Sequence, residues 1–273
     1  MSVVQIDNQV PVKESAKLIL SLQNIRILRA QADSQFELSI PEFQVEAGQF
    51  IAVTGQSGCG KSTLLDLLAL VLKPLDEGSF IFYPAARNAS FNSASSDSKP
   101  SNDQFNINEL WKNSAENKLA QIRRKNLGYV PQSGGLLPFL SVRDNLFLPP
   151  RLNEQQSFKD RIQKQGEALG IAGLFDRKPH SLSGGQRQRV AILRAMAHQP
   201  ELILADEPTA AVDSARAADI VHSFQALALQ HNTAIIMVTH DQSLVKEGCN
   251  KHYSFDVDST HEEHIRSICR RIA

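Results

Sequence analysis

A chain of 273 residues can bury a large core, and its length favours one large domain with sub-lobes over two complete domains. Apolar residues make up 42% and charged residues 21%, which excludes the polar composition of a disordered chain. Lysine plus arginine and aspartate plus glutamate balance at 29 each, so the chain lacks the net positive charge that attracts nucleic acids, and we expect no nucleic-acid partner.

The cysteines and the apolar segments point to a reducing compartment and to no membrane span. Cys59, Cys249 and Cys269 form no CxxC pair, and their odd number argues against a disulfide framework. The N-terminus lacks the basic start and apolar core of a secretory signal. The longest aliphatic stretch, 67–72, is far shorter than the ~20 residues that cross a bilayer. A role at a membrane therefore requires a partner chain.

The first third of the chain is predicted to consist mainly of strands, with one loop and one helix between them. Apolar periodicity predicts, in order, strands at 18–28, 36–40 and 50–54, a helix at 62–72 that ends at Lys73–Pro74, and a strand at 79–83. From 84 to 117 the chain becomes polar and rich in Ser and Asn, which we interpret as a surface insertion. Phe91, Phe105 and Trp111 leave open that part of the insertion docks on neighbouring structure.

The rest of the chain alternates helical patterns with buried strands. The predicted elements are a strand at 126–130, a helix at 141–148 terminated by Pro149–Pro150, helices at 157–169 and 186–198, and strands at 202–205 and 234–238. This alternation predicts an α/β core. The charged tail 259–273 is interpreted as helical, and His261 and His264 as part of its solvated face rather than as metal ligands.

The stretch that follows the strand at 50–54 matches the phosphate-binding pattern GxxxxGK[ST] in its required strand–loop–helix setting. Backbone amides of such a loop surround the phosphates of a nucleotide, Lys61 adds a point charge and Ser62 offers a hydroxyl to Mg²⁺. The Cys59 thiol is interpreted as a side chain that fits the loop rather than as a reactive group. The candidate nucleotide-binding residues are Gly55, Gln56, Ser57, Gly58, Cys59, Gly60, Lys61, Ser62 and Thr63.

Two acidic residues end the predicted strand at 202–205, at the edge where α/β sheets bind ligands. Asp206 is suited to hold Mg²⁺ through water, and Glu207 to polarise the water that attacks a phosphate. A strand that ends in Asp-Glu is also a common solvated turn. The phosphate-binding loop upstream is what favours the catalytic interpretation.

The stretch 182–186, Leu-Ser-Gly-Gly-Gln, resembles the LSGGQ signature of the ABC ATPase family, and the resemblance covers about 18–256. Other motifs of the family are present in the family's order along the chain. Gln132, before the signature, matches the Q-loop glutamine; Asp213 and His240, after it, match the D-loop aspartate and the switch histidine. The resemblance implies an α/β P-loop NTPase (RecA-like) core with an antiparallel β subdomain and an ABC helical subdomain. We expect one domain over 1–258, with its core in 18–131 and 201–258 and the helical subdomain in 132–200.

The resemblance also implies a mechanism in which two copies of the chain share each nucleotide. Ser183, Gly184, Gly185 and Gln186 start a predicted helix and form a second anion cradle, which in the family caps the ATP held by the other subunit. Mg²⁺ would be held by Ser62, Gln132 and Asp206, and catalysis would fall to Lys61, Glu207 and His240. The expected partners are a second copy and an integral membrane permease, at the cytoplasmic face of the plasma membrane.

The amino-acid sequences of these motifs are most similar to those of the lipoprotein-releasing and macrolide-efflux branch of bacterial ABC ATPases. This resemblance suggests export or extraction of a lipid-like, lipoprotein, drug or peptide cargo. The stretch 210–212, Ala-Ala-Val, departs from that branch. A cassette that regulates a membrane partner in cell division or cell-wall signalling is the alternative. The family's adenine-stacking aromatic has no counterpart in 25–29, where the Arg29 guanidinium is a candidate substitute, so we expect weak base selectivity.

Overall fold

The structure, a computed structural model, describes residues 17–31, 34–75, 77–84, 104–210, 214–242, 248–261 and 264–273. The strands in these ranges are β1 (Leu18–Gln31), β2 (Ser34–Glu46), β3 (Phe50–Thr54), β4 (Ser79–Phe82), β5 (Phe105–Asn106), β6 (Leu127–Val130), β7 (Leu202–Asp206), β8 (Ala234–Thr239), β9 (Lys251–His261) and β10 (His264–Arg271). The helices are α1 (Lys61–Leu68), α2 (Ile107–Lys112), α3 (Glu116–Asn126), α4 (Val142–Leu152), α5 (Lys159–Ala168), α6 (Gly184–Met196) and α7 (Ser214–His231). No helix among the described residues is long and apolar enough to span a membrane.

The ten strands form one curled, mixed sheet in the order β5-β4-β1-β2-β10-β9-β3-β8-β7-β6. The central strands β3, β8, β7 and β6 run parallel to one another, so their carboxyl ends share one edge. Every residue of β3 and β8 is buried, as the continuous apolar runs in the sequence predict for strands covered on both faces. Polar residues that follow these strands are thereby brought to a common edge.

Side chains of the parallel strands alternate between two hydrophobic clusters on opposite faces of the sheet. Ile51 and Val53 of β3 pack with the leucines of α1, and the antiparallel strands β1, β2 and β4 close over the same cluster. Phe50 and Ala52 of the same strand pack on the other face, with α6 and α7. Helices α1 and α6 therefore lie on opposite sides of the sheet, because β-strand side chains alternate with a period of two.

The C-terminal segment is a β-hairpin, and the prediction of a helical tail at 259–273 is wrong. Strand β10 pairs antiparallel with β9 and parallel with β2, which joins the antiparallel part of the sheet to its parallel part. Ser267 and Cys269 are buried whereas Arg266 and Arg270 are exposed, an alternation with the period of a strand. Charged residues on the outward face concealed this alternation in the sequence. The interpretation of His261 and His264 as part of a solvated helix face is therefore also wrong, because both residues lie at the ends of strands.

The polar stretch 84–117 is also more ordered than the sequence suggests. Residues 85–103 lie outside the described part, but 104–117 forms β5, α2 and the start of α3. Ile107 is fully buried, and Phe105, Leu110 and Trp111 pack against the core. Ile107, Leu110 and Trp111 follow the i, i+3, i+4 spacing of a helix face, which the surrounding Asn and Ser residues obscured. The interpretation of this part as a surface insertion is therefore wrong, and the alternative that Phe105 and Trp111 left open, docking on neighbouring structure, is correct for 104–117.

The helical lobe consists of α4, α5, two 3₁₀ turns at Ala172–Leu174 and Pro179–Ser181, and one face of α6, whose Val190 and Leu193 belong to the hydrophobic cluster of the lobe. Helix α4 continues through Pro149 and Pro150 to Leu152, so the expected stop at these prolines is wrong. Each proline lacks the amide that would bond to the carbonyl four residues earlier, but both lie within the last four residues of the helix, so less than one turn continues beyond the lost bonds. Asn153 then closes the helix by donating its amide to the Pro149 and Pro150 carbonyls.

Candidate functional site

The predicted phosphate-binding loop connects strand β3 to helix α1, at the carboxyl edge of the parallel strands. Lys61 is the first residue of α1 and is only 7% exposed. Its Nζ donates to the carbonyls of Gly55 and Gln56, at 2.8 Å each, so the lysine closes the loop upon itself. The first bond of the helix runs from the Leu64 amide to the Gly60 carbonyl, which leaves the amides of the first turn free of intrahelical partners. Such amides can bind an anion.

Two glycines of the loop are required by close contacts. A Cβ at Gly55 would lie 2.5 Å from the Cys59 sulfur and 3.0 Å from a ring carbon of Phe255 in β9. Gly60 has a φ of +106°, and a Cβ there would lie 2.8 Å from the ring of Phe36 in β2. A larger residue would clash with these side chains, and at position 60 it would also adopt a strained backbone conformation.

The remaining loop residues divide into an exposed and a buried set. Gln56, Ser57, Gly58 and Ser62 are exposed, whereas Cys59 and Thr63 are buried. Burial raises the pKa of the Cys59 thiol, so the reactive thiolate is disfavoured. A side chain that packs beneath the loop fits this environment better than a reactive one.

The structure brings the three predicted catalytic residues together from three different elements. Glu207 follows β7, Lys61 begins α1 and His240 follows β8. The Glu207 Oε1 lies 3.8 Å from the Lys61 Nζ, and its Oε2 lies 3.2 Å from the His240 Nδ1. Glu207 adopts a left-handed backbone with φ of +41°, and its amide donates to the Val238 carbonyl at 2.9 Å. A strained residue held in this way is typical of a functional position.

Asp206 lies beside Glu207 in an environment with an excess of negative charge. Partial burial raises the pKa of Asp206, and the carboxylates of Glu207 and Asp66 raise it further, against an opposing effect of Lys61. The same acidic surroundings act on Tyr129 of β6: burial, followed by Asp206 and Asp66, raises its pKa to about 12. A divalent cation bound at this edge would relieve this repulsion.

The Arg29 side chain is engaged in an ion pair that the sequence did not indicate. Its Nη2 lies 2.6 Å from the Asp66 Oδ2, and both side chains are a little over one third exposed. Asp66 lies on α1, directly after the phosphate-binding loop. Arg29 is therefore close to the loop, but its guanidinium is held by Asp66.

Gln132 lies two residues beyond β6, at the same edge of the sheet, and is exposed. The segment after it is fixed to helix α6, because the Arg194 guanidinium donates to the Gly135 carbonyl. The loop that carries Gln132 thus bridges the parallel core and the helix that begins with the signature motif.

The signature residues form the start of helix α6 in the helical lobe. Ser183 is the N-cap: its hydroxyl accepts from the Gln186 amide at 3.3 Å, and the Gln186 side chain accepts from the Ser183 amide at 3.0 Å. This capping box fixes the first turn, where Gly184 and Gly185 add no side chain that would cover the amides. Ser183 is exposed. Asp213 lies outside the described residues.

Four residues near the site were not predicted from the sequence: Phe36, Tyr129, Phe255 and Ser267. They reach the site from β2, β6, β9 and β10, and Ser267 donates its hydroxyl to the Cys59 carbonyl at 2.6 Å. No local pattern marks them, because their proximity to the loop depends on how distant strands pair.

A cavity among the described residues lies away from this site. It has a volume of about 850 Å³ and is lined by the ends of α3, α6 and α7, at the amino edge of the parallel strands. Burial lowers the pKa of His198, which lines it, to about 4. None of the residues predicted for nucleotide binding or catalysis lines this cavity.

Comparison with known proteins supports the assignment made from the motifs. A sequence profile of the family described as ABC transporter matches residues 38–210. The putative hemin import ATP-binding protein HrtA of Staphylococcus haemolyticus is 34% identical over 83% of this chain and 92% of its own length. The lipoprotein-releasing system ATP-binding protein LolD of Francisella tularensis is 35% identical over 77% of this chain and 81% of its own.

Among solved structures, the dimeric ATP-binding cassette MJ0796, in a post-hydrolysis state bound to ADP and Pi, superposes with a TM-score of 0.67. It is 28% identical, and the match covers 86% of this chain and 94% of that one. This similarity confirms the predicted α/β cassette fold with its curled mixed sheet. The chain therefore belongs to the ABC transporter family, as an ATP-binding subunit with the fold and the ATPase activity of its cassettes.

Proposed function

We propose that two copies of this chain close around two ATP molecules, and that hydrolysis of this ATP drives a separate membrane permease. Each ATP lies between the phosphate-binding loop of one copy, 55–63, and the signature residues of the other, 183–186. Lys61 and the loop amides hold the phosphates, Glu207 polarises the attacking water and His240 contacts the γ-phosphate. Asp213 is assigned to the contact between the two copies.

The observation that carries this proposal is the separation of the two anion cradles within one chain. Helix α1, which starts at the loop, and helix α6, which starts at the signature, pack on opposite faces of the sheet. Along the edge, β3 and β6 are three strand spacings apart, roughly 14 Å. The two cradles thus start helices on opposite faces of the sheet, and a second copy turned about a two-fold axis can bring its signature to the nucleotide held by the loop.

The residues at the edge suit a magnesium ion bound together with the nucleotide. The Ser62 hydroxyl, the Asp206 carboxylate and the Gln132 amide offer the oxygen ligands that Mg²⁺ prefers. In the described ranges no group of three or more His, Cys, Asp and Glu residues is arranged to hold an ion. Mg²⁺ commonly keeps several waters and binds substrate phosphates together with a few protein oxygens. When bound, the ion supplies positive charge that neutralises the developing charge on the phosphates.

The permease contact is assigned to the loop between Gln132 and helix α4. The Phe139 ring is 69% exposed, although its backbone is held: the Lys178 Nζ donates to the Phe139 carbonyl at 2.7 Å. The fully buried Asn145 fixes the start of the loop by accepting from the Leu137 amide at 2.8 Å. A rigid loop with one exposed aromatic ring is typical of a docking surface. Because this loop begins at Gln132, a movement of Gln132 on nucleotide binding would be transmitted through the loop to the permease.

The names of the relatives favour an amphipathic or apolar cargo. LolD belongs to a lipoprotein-releasing system, and BceA of Halalkalibacterium halodurans, 34% identical over 73% of this chain and 70% of its own, is named for bacitracin export. We therefore propose export or extraction of a lipid-like, lipoprotein or peptide cargo at the plasma membrane, with this subunit on its cytoplasmic face.

Purification from native membranes tests the permease contact. The wild-type chain and a Leu229→Asp control, altered at a 76% exposed leucine on α7, should co-purify with one integral membrane protein, and Phe139→Asp should lose it. Phe139→Asp should keep its basal ATPase activity. Retention of the partner by Phe139→Asp, or its loss from both variants, would overturn this assignment. ATP-dependent movement of cargo by the reconstituted complex then separates transport from a purely regulatory role.

A further inference from the structure

The C-terminal strand β10 contacts the phosphate-binding loop from behind. Ser267, 208 positions from Cys59, is 1% exposed, and its hydroxyl donates to the Cys59 main-chain carbonyl at 2.6 Å. This bond is buried, so water cannot replace it without a rearrangement of the strand. None of the roles assigned above to the loop residues involves this hydrogen bond.

The orientation of one peptide unit makes this contact relevant to nucleotide binding. In a trans peptide the carbonyl and the following N–H point in opposite directions. Because the Cys59 carbonyl points towards Ser267 on β10, the Gly60 N–H points away from that strand, to the side where the proposed function places the phosphates. Gly60 has a φ of +106°, so its own backbone preference does not fix this orientation.

The Ser267 bond differs from the other bonds to loop carbonyls. The Gly55 and Gln56 carbonyls accept from Lys61, whose charge a bound phosphate would attract away. The Gly60 carbonyl accepts from the Leu64 amide within helix α1. The bond to Cys59 comes from outside the loop and from the side opposite the ligand. It can therefore hold the loop both before and after the nucleotide binds, which is the requirement for preorganisation.

The strand that carries Ser267 is itself firmly placed. It is paired on one side with β2 and on the other with β9. Strand β9 in turn pairs with β3, which leads into the loop, and the His252 Nε2 of β9 is hydrogen-bonded to the Thr54 hydroxyl at 2.8 Å. A hydroxyl on a strand held at both edges gives a more exact placement than one on a free loop.

We infer that Ser267 is a positioning residue for ATP binding, which holds the Cys59–Gly60 peptide so that the Gly60 N–H faces the bound phosphate. Loss of the hydroxyl leaves the peptide free to rotate and leaves a buried carbonyl without its donor. This inference rests on the proposed role of 55–63 as the phosphate-binding loop.

Equilibrium ATP binding by the full chain, measured by calorimetry without Mg²⁺ so that no hydrolysis occurs, tests the inference. Ser267→Ala should weaken ATP binding about 3- to 10-fold, the effect of one hydrogen bond, and Ser267→Thr should restore it to within about twofold. Steady-state ATPase measurements with Mg²⁺ should then show a raised KM and a nearly unchanged kcat for Ser267→Ala, because the bond is present in both the ground and the transition state.

The matched control is Thr233→Val, which removes another buried hydroxyl, one that donates to the Pro200 carbonyl at 3.0 Å near the start of β8. It should lower the melting temperature and leave the ATP affinity unchanged. Wild-type affinity in Ser267→Ala, or an equal loss in Thr233→Val, would overturn the positioning role. Lys61→Ala separates this result from the assignment of the loop: if it binds ATP normally, the proposed loop is wrong, and if it alone loses ATP, only the inference about Ser267 fails.

Discussion

Replacing Glu207 with glutamine removes one negative charge from the site and keeps the size of the side chain. The Glu207 Oε1 lies 3.8 Å from the Lys61 Nζ, and these side chains are 21% and 8% exposed. At an effective dielectric constant of about 20, the attraction between the two charges is about 4 kcal/mol. This attraction competes with that between Lys61 and the incoming phosphates, so glutamine makes the lysine charge more available to ATP.

We therefore expect Glu207→Gln to bind ATP at least as tightly as the wild type. Solvent and rearrangement of the side chains screen most of the attraction between Lys61 and Glu207. If about 1 kcal/mol of it remains, its removal corresponds to roughly fivefold tighter binding of ATP. Turnover should fall by about 10²- to 10⁴-fold, because the variant has no carboxylate to polarise the attacking water. Since ATP then persists between the two copies, the dimer should accumulate.

Phosphate release gives the turnover of Glu207→Gln, calorimetry its ATP affinity, and light scattering during gel filtration its mass with and without ATP. Lys61→Ala is the comparison: it should lose ATP binding and remain monomeric when ATP is added, because it lacks the point charge that the phosphates require. An equal loss of ATP binding in both variants would refute the division of roles between Lys61 and Glu207. Wild-type turnover in Glu207→Gln would refute its role as the base.

Two further substitutions and one competition assay test other parts of the site. Ser183→Arg should bind ATP as a monomer within about twofold of the wild type but lose ATP-induced dimerisation and at least about 10²-fold in turnover, and unchanged turnover would exclude a shared site. Burial raises the pKa of Asp206, so its ionised form destabilises the fold above that raised pKa, and the effect disappears below the unfolded value of about 4. Asp206→Asn should therefore raise the melting temperature of the nucleotide-free chain at pH 7 and abolish Mg²⁺-dependent turnover, whereas a lower melting temperature would contradict the electrostatic argument. With no aromatic residue in 25–29 and Arg29 paired with Asp66, GTP should compete with ATP to within about tenfold, and a strong preference for ATP in competition assays would contradict this expectation.

The parallel core and the meeting of the candidate catalytic residues could be predicted because both follow from local patterns. The runs at 50–54, 202–205 and 234–238 are continuous and apolar, and each was correctly predicted as a buried strand. Polar residues that follow parallel strands must share one edge of the sheet. Lys61, Glu207 and His240 were therefore expected at the same edge, and the distances between them agree.

The incorrect predictions arose where a polar composition concealed a regular pattern. In 104–117 a helix face of Ile107, Leu110 and Trp111 stands among asparagines, and in β10 arginines alternate with the buried Ser267 and Cys269. Both segments reach burial by packing against parts of the chain that are distant in sequence. Composition reports how polar a segment is, whereas its structure depends on which face is covered and by what.

The phosphate-binding motif specifies which residues form the loop, but not how their backbone is held. Gly60 permits a φ of +106° without selecting it, and the Cys59 carbonyl has two sides towards which it can turn. In the structure the Cys59 carbonyl accepts from Ser267 of β10, and Phe36 of β2 and Phe255 of β9 lie close to Gly60 and Gly55. Two chains with the same loop sequence can therefore differ in ATP affinity through strands that carry no motif. The C-terminal hairpin thus belongs to the nucleotide site in the energetic sense, since loss of a single hydroxyl there is expected to alter ATP binding while every residue of the loop stays the same.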